Sequence, residues 1–173
     1  MKSRPAHHVT QDQISADDDV HVSNFQVVDF LTKKVCIAKR KFAIAKYELV
    51  VRRSRTGRGL FTVDPIERGR CIVEYTGRVL SEAEEYTSNS KYLFAVNKRK
   101  TIDGREKTNI ARYINHACRP NCEIEIWRGR IYVMAKRTIK PGEELFYDYD
   151  TEYFSEHIRP KGCKCSKCSQ DGI

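Results

Sequence analysis

Arg112-Tyr113-Ile114-Asn115-His116-Ala117-Cys118-Arg119-Pro120-Asn121 decides how this chain is read. Asn115 and His116 stand side by side, Cys118 adds a thiol, and Pro120-Asn121 is a turn signal that ends any helix. A helix face packed in a core repeats apolar residues at a period of about 3.6 and does not concentrate polar groups in this way. The run reads instead as a tight loop dense in polar groups, placed where a catalytic domain would need one.

Working outward, the flanks read as short strands separated by turn residues. Tyr47–Val51 and Gly59–Val63 are expected as strands around a Gly57-Arg58-Gly59 turn, followed by Cys71–Tyr75 after the breaks at Pro65 and Gly69. Ser81 with Glu84 predicts a capping box opening a short helix to about Ser88. Tyr92–Val96 and Thr101-Ile102 are further strands. Glu123–Trp127 alternates strictly and returns past Gly129 as Arg130–Met134, a hairpin expected to have one buried and one wet face. Pro141-Gly142 precedes a last strand, Glu144–Tyr149. Many short strands with few helices indicate a mainly β architecture.

With 173 residues the chain is long enough for a substantial core, and 40% hydrophobic with 32% charged residues is ordinary for a soluble globular protein. There is no apolar run of membrane-spanning length and no signal-like apolar stretch at the N-terminus, so a soluble intracellular protein is expected. The formal charge is +9, yet residues 1–30 carry −3, leaving +12 on the remainder, a balance that attracts nucleic acid or another polyanion. No basic helix or aromatic stacking platform marks a dedicated nucleic-acid site.

Residues 1–22, with His7-His8 and Asp17-Asp18-Asp19, read as a mobile polar tail, and the histidines as a surface pair. Residues 23–46 form a packing segment of open role. Phe25, Val27, Val28, Phe30 and Leu31 suit either a dimer contact or a flap. Of seven cysteines, Cys36 and Cys71 sit among apolar neighbours and are expected as small buried hydrophobes. Cys163, Cys165 and Cys168 crowd together in a way that suits metal ligation better than disulfides.

Gly57-Arg58-Gly59, Tyr75-Thr76-Gly77, the Asn115-His116 loop, Glu144-Leu145-Phe146-Tyr147-Asp148-Tyr149 and the terminal cysteines, taken in that order, resemble the SET-domain protein lysine methyltransferases. The resemblance spans about residues 47–168. It implies a SET (β-clip) fold over 47–154, a C-terminal pseudoknot near Asn115-His116, and a post-SET-like zinc-binding tail over 155–173. The implied activity is methyl transfer from S-adenosylmethionine to a lysine ε-amine of a protein, histone-like tails included. A basic peptide suits the acidic group Asp148, Asp150, Glu152 and Glu156 near the expected mouth. A nuclear or cytoplasmic location follows, with chromatin association in a eukaryote.

By the same resemblance Tyr149, Tyr147 and Tyr92 are the catalytic positions. Gly57, Arg58, Gly59, Tyr92, Arg112, Asn115, His116 and Tyr149 are the cofactor contacts. Tyr147 stands where the family carries Phe or Tyr, which implies mono- or dimethyllysine as product. Cys163, Cys165 and Cys168 supply three zinc ligands; Cys118 matches the fourth, with Cys122 a close alternative. Three departures stand out. Ala117 replaces a usual serine, a hydroxyl hydrogen bond worth about 0.5–1.5 kcal/mol. Arg78 replaces a common glutamate, with a surface or substrate-contact effect expected. The cysteine spacing is C-x-C-x2-C where C-x-C-x4-C is usual. The competing reading, a non-catalytic SET-like scaffold for protein or nucleic acid, predicts damage at the chemical residues, whereas Tyr149, Asn115, His116 and Tyr92 are all in place. A small zinc-dependent DNA-binding protein lacks a second Cys-x-x-Cys or Cys/His finger.

Overall fold

The computed structural model describes residues 41–170; the expectations for 1–22, for Phe25–Leu31, and for Cys36 lie outside these residues. Ten short strands and a few helical turns make up the described chain.

Strands β1 (Leu49–Ser54) and β2 (Gly57–Thr62) form an antiparallel hairpin in register from Leu49 opposite Thr62 to Ser54 opposite Gly57. The glycines therefore belong to β2, and the loop is Arg55-Thr56, two residues earlier than expected. Gly57 makes this possible with φ +119°, a conformation that residues with a Cβ rarely adopt.

β3 (Cys71–Tyr75), β9 (Arg130–Ala135) and β8 (Cys122–Trp127) form a three-stranded antiparallel sheet with β9 in the middle. Arg128 and Gly129 at its hairpin both have positive φ, 50° and 70°, as a two-residue turn that follows strand twist requires. The expected wet face is missing from β9: Ile131, Val133 and Ala135 enter the main core, while Tyr132 and Met134 are buried on the other side. The cause is an aromatic cover, in which Phe42 stacks on Trp127 at 5.0 Å and lies tilted against Tyr132 at 4.9 Å. Cys71 joins this cluster as a buried apolar group, its thiol pushed up to about 11 by burial.

The third sheet orders β4 (Arg78–Leu80), β6 (Lys100–Asp103) and β5 (Leu93–Asn97). Gly77 leads into it because a Cβ there would lie 2.2 Å from the Asp103 carbonyl oxygen. Helix α1 (Glu82–Thr87) opens with the expected capping box between Ser81 and Glu84. Arg78 is at the surface, paired with Glu84.

Ile66 and Ile139 exchange backbone hydrogen bonds of 2.9 and 2.8 Å and are fully buried with Leu60, Ile114, Ile131, Val133 and Leu145. Each such side chain contributes about 1.5–3 kcal/mol on burial. This core supports the underside of the loop from which the sequence was read.

Candidate functional site

The loop and the last strand meet in a two-residue parallel pair, β7 (Asn115–His116) with β10 (Phe146–Tyr147). The strand is much shorter than the expected Glu144–Tyr149, because side chains take over its ladder. Asn121, buried to 3% exposure, donates Nδ2–H to the Glu144 carbonyl at 2.8 Å and accepts the Phe146 N–H on Oδ1 at 2.8 Å. Farther along, His116 Nδ1 accepts the Tyr149 N–H at 3.2 Å. Ala117 donates its backbone N–H to the Tyr147 carbonyl at 3.2 Å, and its methyl is buried where the sequence suggested a lost hydroxyl contact. Sequence reasoning gave Asn121 a turn-forming role only; it is the clamp that joins these two segments.

The same loop reaches the first hairpin. Asn115 Nδ2 donates to the Arg58 carbonyl at 2.9 Å and to Glu144 Oε1 at 2.8 Å, while Ser54 Oγ donates to Glu144 Oε2 at 2.7 Å. A Cβ on Gly59 would sit 2.1 Å from Glu144 Oε1, so this glycine makes room for the carboxylate. Glu144 is thus a second residue missed in the sequence; its signal was the first acidic position of the Glu-Leu-x-Tyr-like run.

Beyond this junction lies a cluster of aromatic rings. Tyr149 packs against Tyr147 at 4.8 Å and edge-on against Tyr153 at 5.2 Å, and Phe94 lies 6.3 Å from Tyr147 and 5.4 Å from Tyr75. The Tyr149 hydroxyl donates to the Ile114 carbonyl at 2.6 Å, and Tyr75 donates to the Tyr92 carbonyl at 2.9 Å. Burial holds the phenols of Tyr75, Tyr147 and Tyr149 above their ordinary pKa, so all three stay protonated at neutral pH. The Tyr147 hydroxyl makes no hydrogen bond with the described residues. Arg112 lays its guanidinium over the Tyr92 ring at 4.1 Å and donates Nη1–H to the Arg105 carbonyl. Its Nε is a buried donor without a partner among the described residues, the sort of group a bound acceptor satisfies.

Asp148, Asp150 and Glu156 are exposed near this cluster. Asp150 takes φ 71° and accepts the Tyr153 N–H at 3.0 Å, opening the helical segment Thr151–Tyr153.

On the other side of His116 the cysteines converge. The Sγ atoms of Cys118, Cys163, Cys165 and Cys168 all lie within 4.8 Å of one another, with Cys118 at 3.9 Å from Cys163 and 3.6 Å from Cys168. A tetrahedron with Zn–S bonds of about 2.3 Å has edges of about 3.8 Å, so the donor set fits a four-thiolate zinc site. The shortened C-x-C-x2-C spacing is accommodated by a helical turn, Ser166–Gln170, that lets Cys165 and Cys168 face the same point. Burial raises the Cys118 and Cys163 thiols. Burial also opposes ionisation of Cys165, yet N–H donors from Cys168 and Cys118 hold it down to about 6. Cys122 is elsewhere, fully buried in β8 with its thiol pushed up to about 12 by burial. Cys118, and not Cys122, therefore completes the set.

His116 links the two halves. Because Nδ1 accepts the Tyr149 N–H, the proton of the neutral ring sits on Nε2, 3.4 Å from Cys118 Sγ. Burial lowers its pKa, outweighing the Asp148 carboxylate 3.5 Å from Nδ1, which is mostly solvated.

Of the residues singled out in the sequence, the structure joins Arg58 to Asn115, Tyr92 to Arg112, His116 to Tyr149, and Tyr147 to Tyr149. Gly57 has no neighbour that a Cβ would meet.

The model of the SET domain family matches residues 57–150, more than half of the chain. The histone-lysine N-methyltransferase ASHH1 of Arabidopsis thaliana is 36% identical over 128 residues, covering 66% of this chain and 26% of that protein. The mouse histone-lysine N-methyltransferase described as H3 lysine-36 specific is 30% identical over 147 residues, covering 78% of this chain and 6% of that protein. Among solved structures, a chain from the crystal structure of an active polycomb repressive complex 2 in the stimulated state aligns with TM-score 0.56 and 32% identity over 62% of this chain and 16% of that one. With its strands, loop junction and cysteine cluster accounted for, this chain belongs to the SET-domain family. It spans about a quarter or less of the relatives it matches.

Proposed function

We propose that the protein is an S-adenosylmethionine-dependent protein lysine N-methyltransferase acting on a histone or histone-like basic segment. The observation that carries this reading is the Tyr149 hydroxyl, fixed at 2.6 Å on the Ile114 carbonyl inside an aromatic cluster. With its proton committed to Ile114, the oxygen is left as an acceptor. It takes an N–H of the incoming amine and turns the nitrogen lone pair in a fixed direction. Its raised pKa argues against a role as general base at neutral pH. The lysine instead sheds its proton to solvent before it enters, since an apolar, ring-lined channel disfavours ammonium.

When bound, S-adenosylmethionine supplies an electrophilic methyl group on a sulfonium. Gly57, Arg58 and Gly59 would hold it from the hairpin side, and Asn115 and His116 from the loop. Arg112, whose Nε has no partner among the described residues, together with Tyr92 and Tyr149, would complete the contacts. Zinc on Cys118, Cys163, Cys165 and Cys168 would tie the tail to the Asn115-His116 loop and help keep water out of the channel. Tyr147, with a hydroxyl that has no partner among the described residues, is suited to hold a water or the amine and so to limit the product to mono- or dimethyllysine. The exposed Asp148, Asp150 and Glu156 favour a basic substrate segment. Histone methylation would place the protein at chromatin; no described helix is long and apolar enough to cross a membrane.

The test is transfer of a labelled methyl group to histones by the wild type and by Tyr149→Phe. Loss of the oriented oxygen should lower turnover roughly 10²–10³-fold, while calorimetry still detects cofactor binding. A wild type that binds cofactor but labels neither histones nor proteins of an extract refutes the catalytic reading.

A further inference from the structure

We propose that the outer end of the β1–β2 hairpin is a docking surface for the phosphate backbone of duplex DNA. Between Leu49 and Val63 the chain carries Arg52, Arg53, Arg55 and Arg58 and no aspartate or glutamate. All four arginines are exposed, and none of their side chains has a hydrogen bond or an ion pair with a described residue. Arg78, Arg105, Arg130 and Arg137 are each matched by a carboxylate, from Glu84, Asp103, Glu74 and Glu143. Other exposed arginines such as Arg68, Arg99 and Arg119 also lack an ion pair among the described residues, so what sets the hairpin apart is four arginines within seven positions.

The strand register makes the contrast sharper. Arg53 stands directly opposite Arg58 on the paired strand, so the two cations project from the same face. Like charges in that relation weaken a ladder unless an anion lies between them. Val51, Arg52, Arg53, Gly57 and Arg58 line an open depression of about 540 Å³ there, without an acidic group in its wall. Because Gly57 and Arg58 also border the side proposed for the cofactor, the phosphate contacts fall to Arg52, Arg53 and Arg55. Guanidinium groups match phosphate with paired hydrogen bonds. A two-stranded ribbon is also a shape that the major groove of B-form DNA admits, unlike the deep, narrow major groove of an RNA helix. The surface adjoins the candidate site through the Arg58 carbonyl, which accepts from Asn115. A protein substrate lying on DNA would thereby be brought to the aromatic channel.

Binding is measured without turnover, so the outcome is independent of the catalytic reading. Fluorescence anisotropy with a labelled duplex of about 20 base pairs follows affinity against salt concentration for the full chain. The variant Arg52→Ala/Arg53→Ala/Arg55→Ala should lower the slope of log K against log salt by about 2.7, and weaken binding by about two orders of magnitude near 0.1 M salt. A control that removes equal charge from the exposed Lys98, Arg99 and Lys107 should change the slope far less. Where the triple variant does not match the wild-type circular dichroism, Arg55→Gln alone should lower the slope by about 0.9. Equal losses in both triple variants, no duplex binding by the wild type, or polyglutamate competing as well as DNA at equal charge would each overturn the proposal.

Discussion

Asn121 offers the sharpest test of how the site is held together. Asn121→Ala removes both partners of a buried pair, leaving the Glu144 carbonyl and the Phe146 N–H unsatisfied. At about 1–3 kcal/mol for each of the two orphaned groups, the loss is about 2–6 kcal/mol. For a chain of this size that lowers Tm by roughly 5–20 °C, read by calorimetry at fixed metal concentration. Asn121→Asp adds a pH signature. One carboxylate oxygen still accepts the Phe146 N–H, but the other faces the Glu144 carbonyl oxygen, so burial and repulsion raise the folded-state pKa above the usual value of about 3.9. A carboxyl with a raised folded pKa binds more protons folded than unfolded, so stability falls as pH rises through that pKa. The deficit against wild type is therefore full at about pH 8 and shrinks toward about pH 5.5, where the protonated oxygen donates to Glu144. An Asn121→Ala variant that melts within about 2 °C of wild type refutes the clamp, as does an Asn121→Asp deficit that ignores pH.

Tyr147→Phe removes a hydroxyl that has no partner among the described residues, and mass spectrometry should show products shifted to higher methylation states; an unchanged distribution counts against its limiting role. Cys168→Ser leaves three thiolates and should lower zinc content measured by elemental analysis, with a fall of several degrees in Tm of the zinc-loaded protein. The same change in Cys122 should leave zinc content as it is, because that thiol is buried in β8. Gly59→Ala places a Cβ against Glu144 and should cost about 1–3 kcal/mol by displacing the carboxylate from Asn115 and Ser54, read as a lower urea midpoint.

The elements that depend on local chemistry were legible in the sequence. Ser81 and Glu84 announced their helix, and alternation announced the β8–β9 hairpin, because caps and pleats act over a few residues. Resemblance supplied the family and the expected site positions. What stayed hidden depends on distant partners. Periodicity cannot show that Phe42 and Trp127 cover the second face of β9, or that a side chain at 121 replaces a strand beside residues 144–146. Cys122 is in phase with Ile124 on β8, a period-two pattern that turns its thiol into the core and away from the loop cysteines.

The parallel pair of β7 with β10 also bears on the order of folding. It joins Asn115 to Phe146, and the cysteine cluster joins Cys118 to residues 45 and 50 positions later. Contacts so remote in sequence form only after the intervening hairpin has closed the distance. A chain growing from its N-terminus can complete β1–β2 and much of the central sheet before these contacts exist. The loop junction and the thiolate cluster both draw on residues 144–168, so a chain lacking that segment can keep its three antiparallel sheets but has neither the β7–β10 pair nor the four-cysteine set.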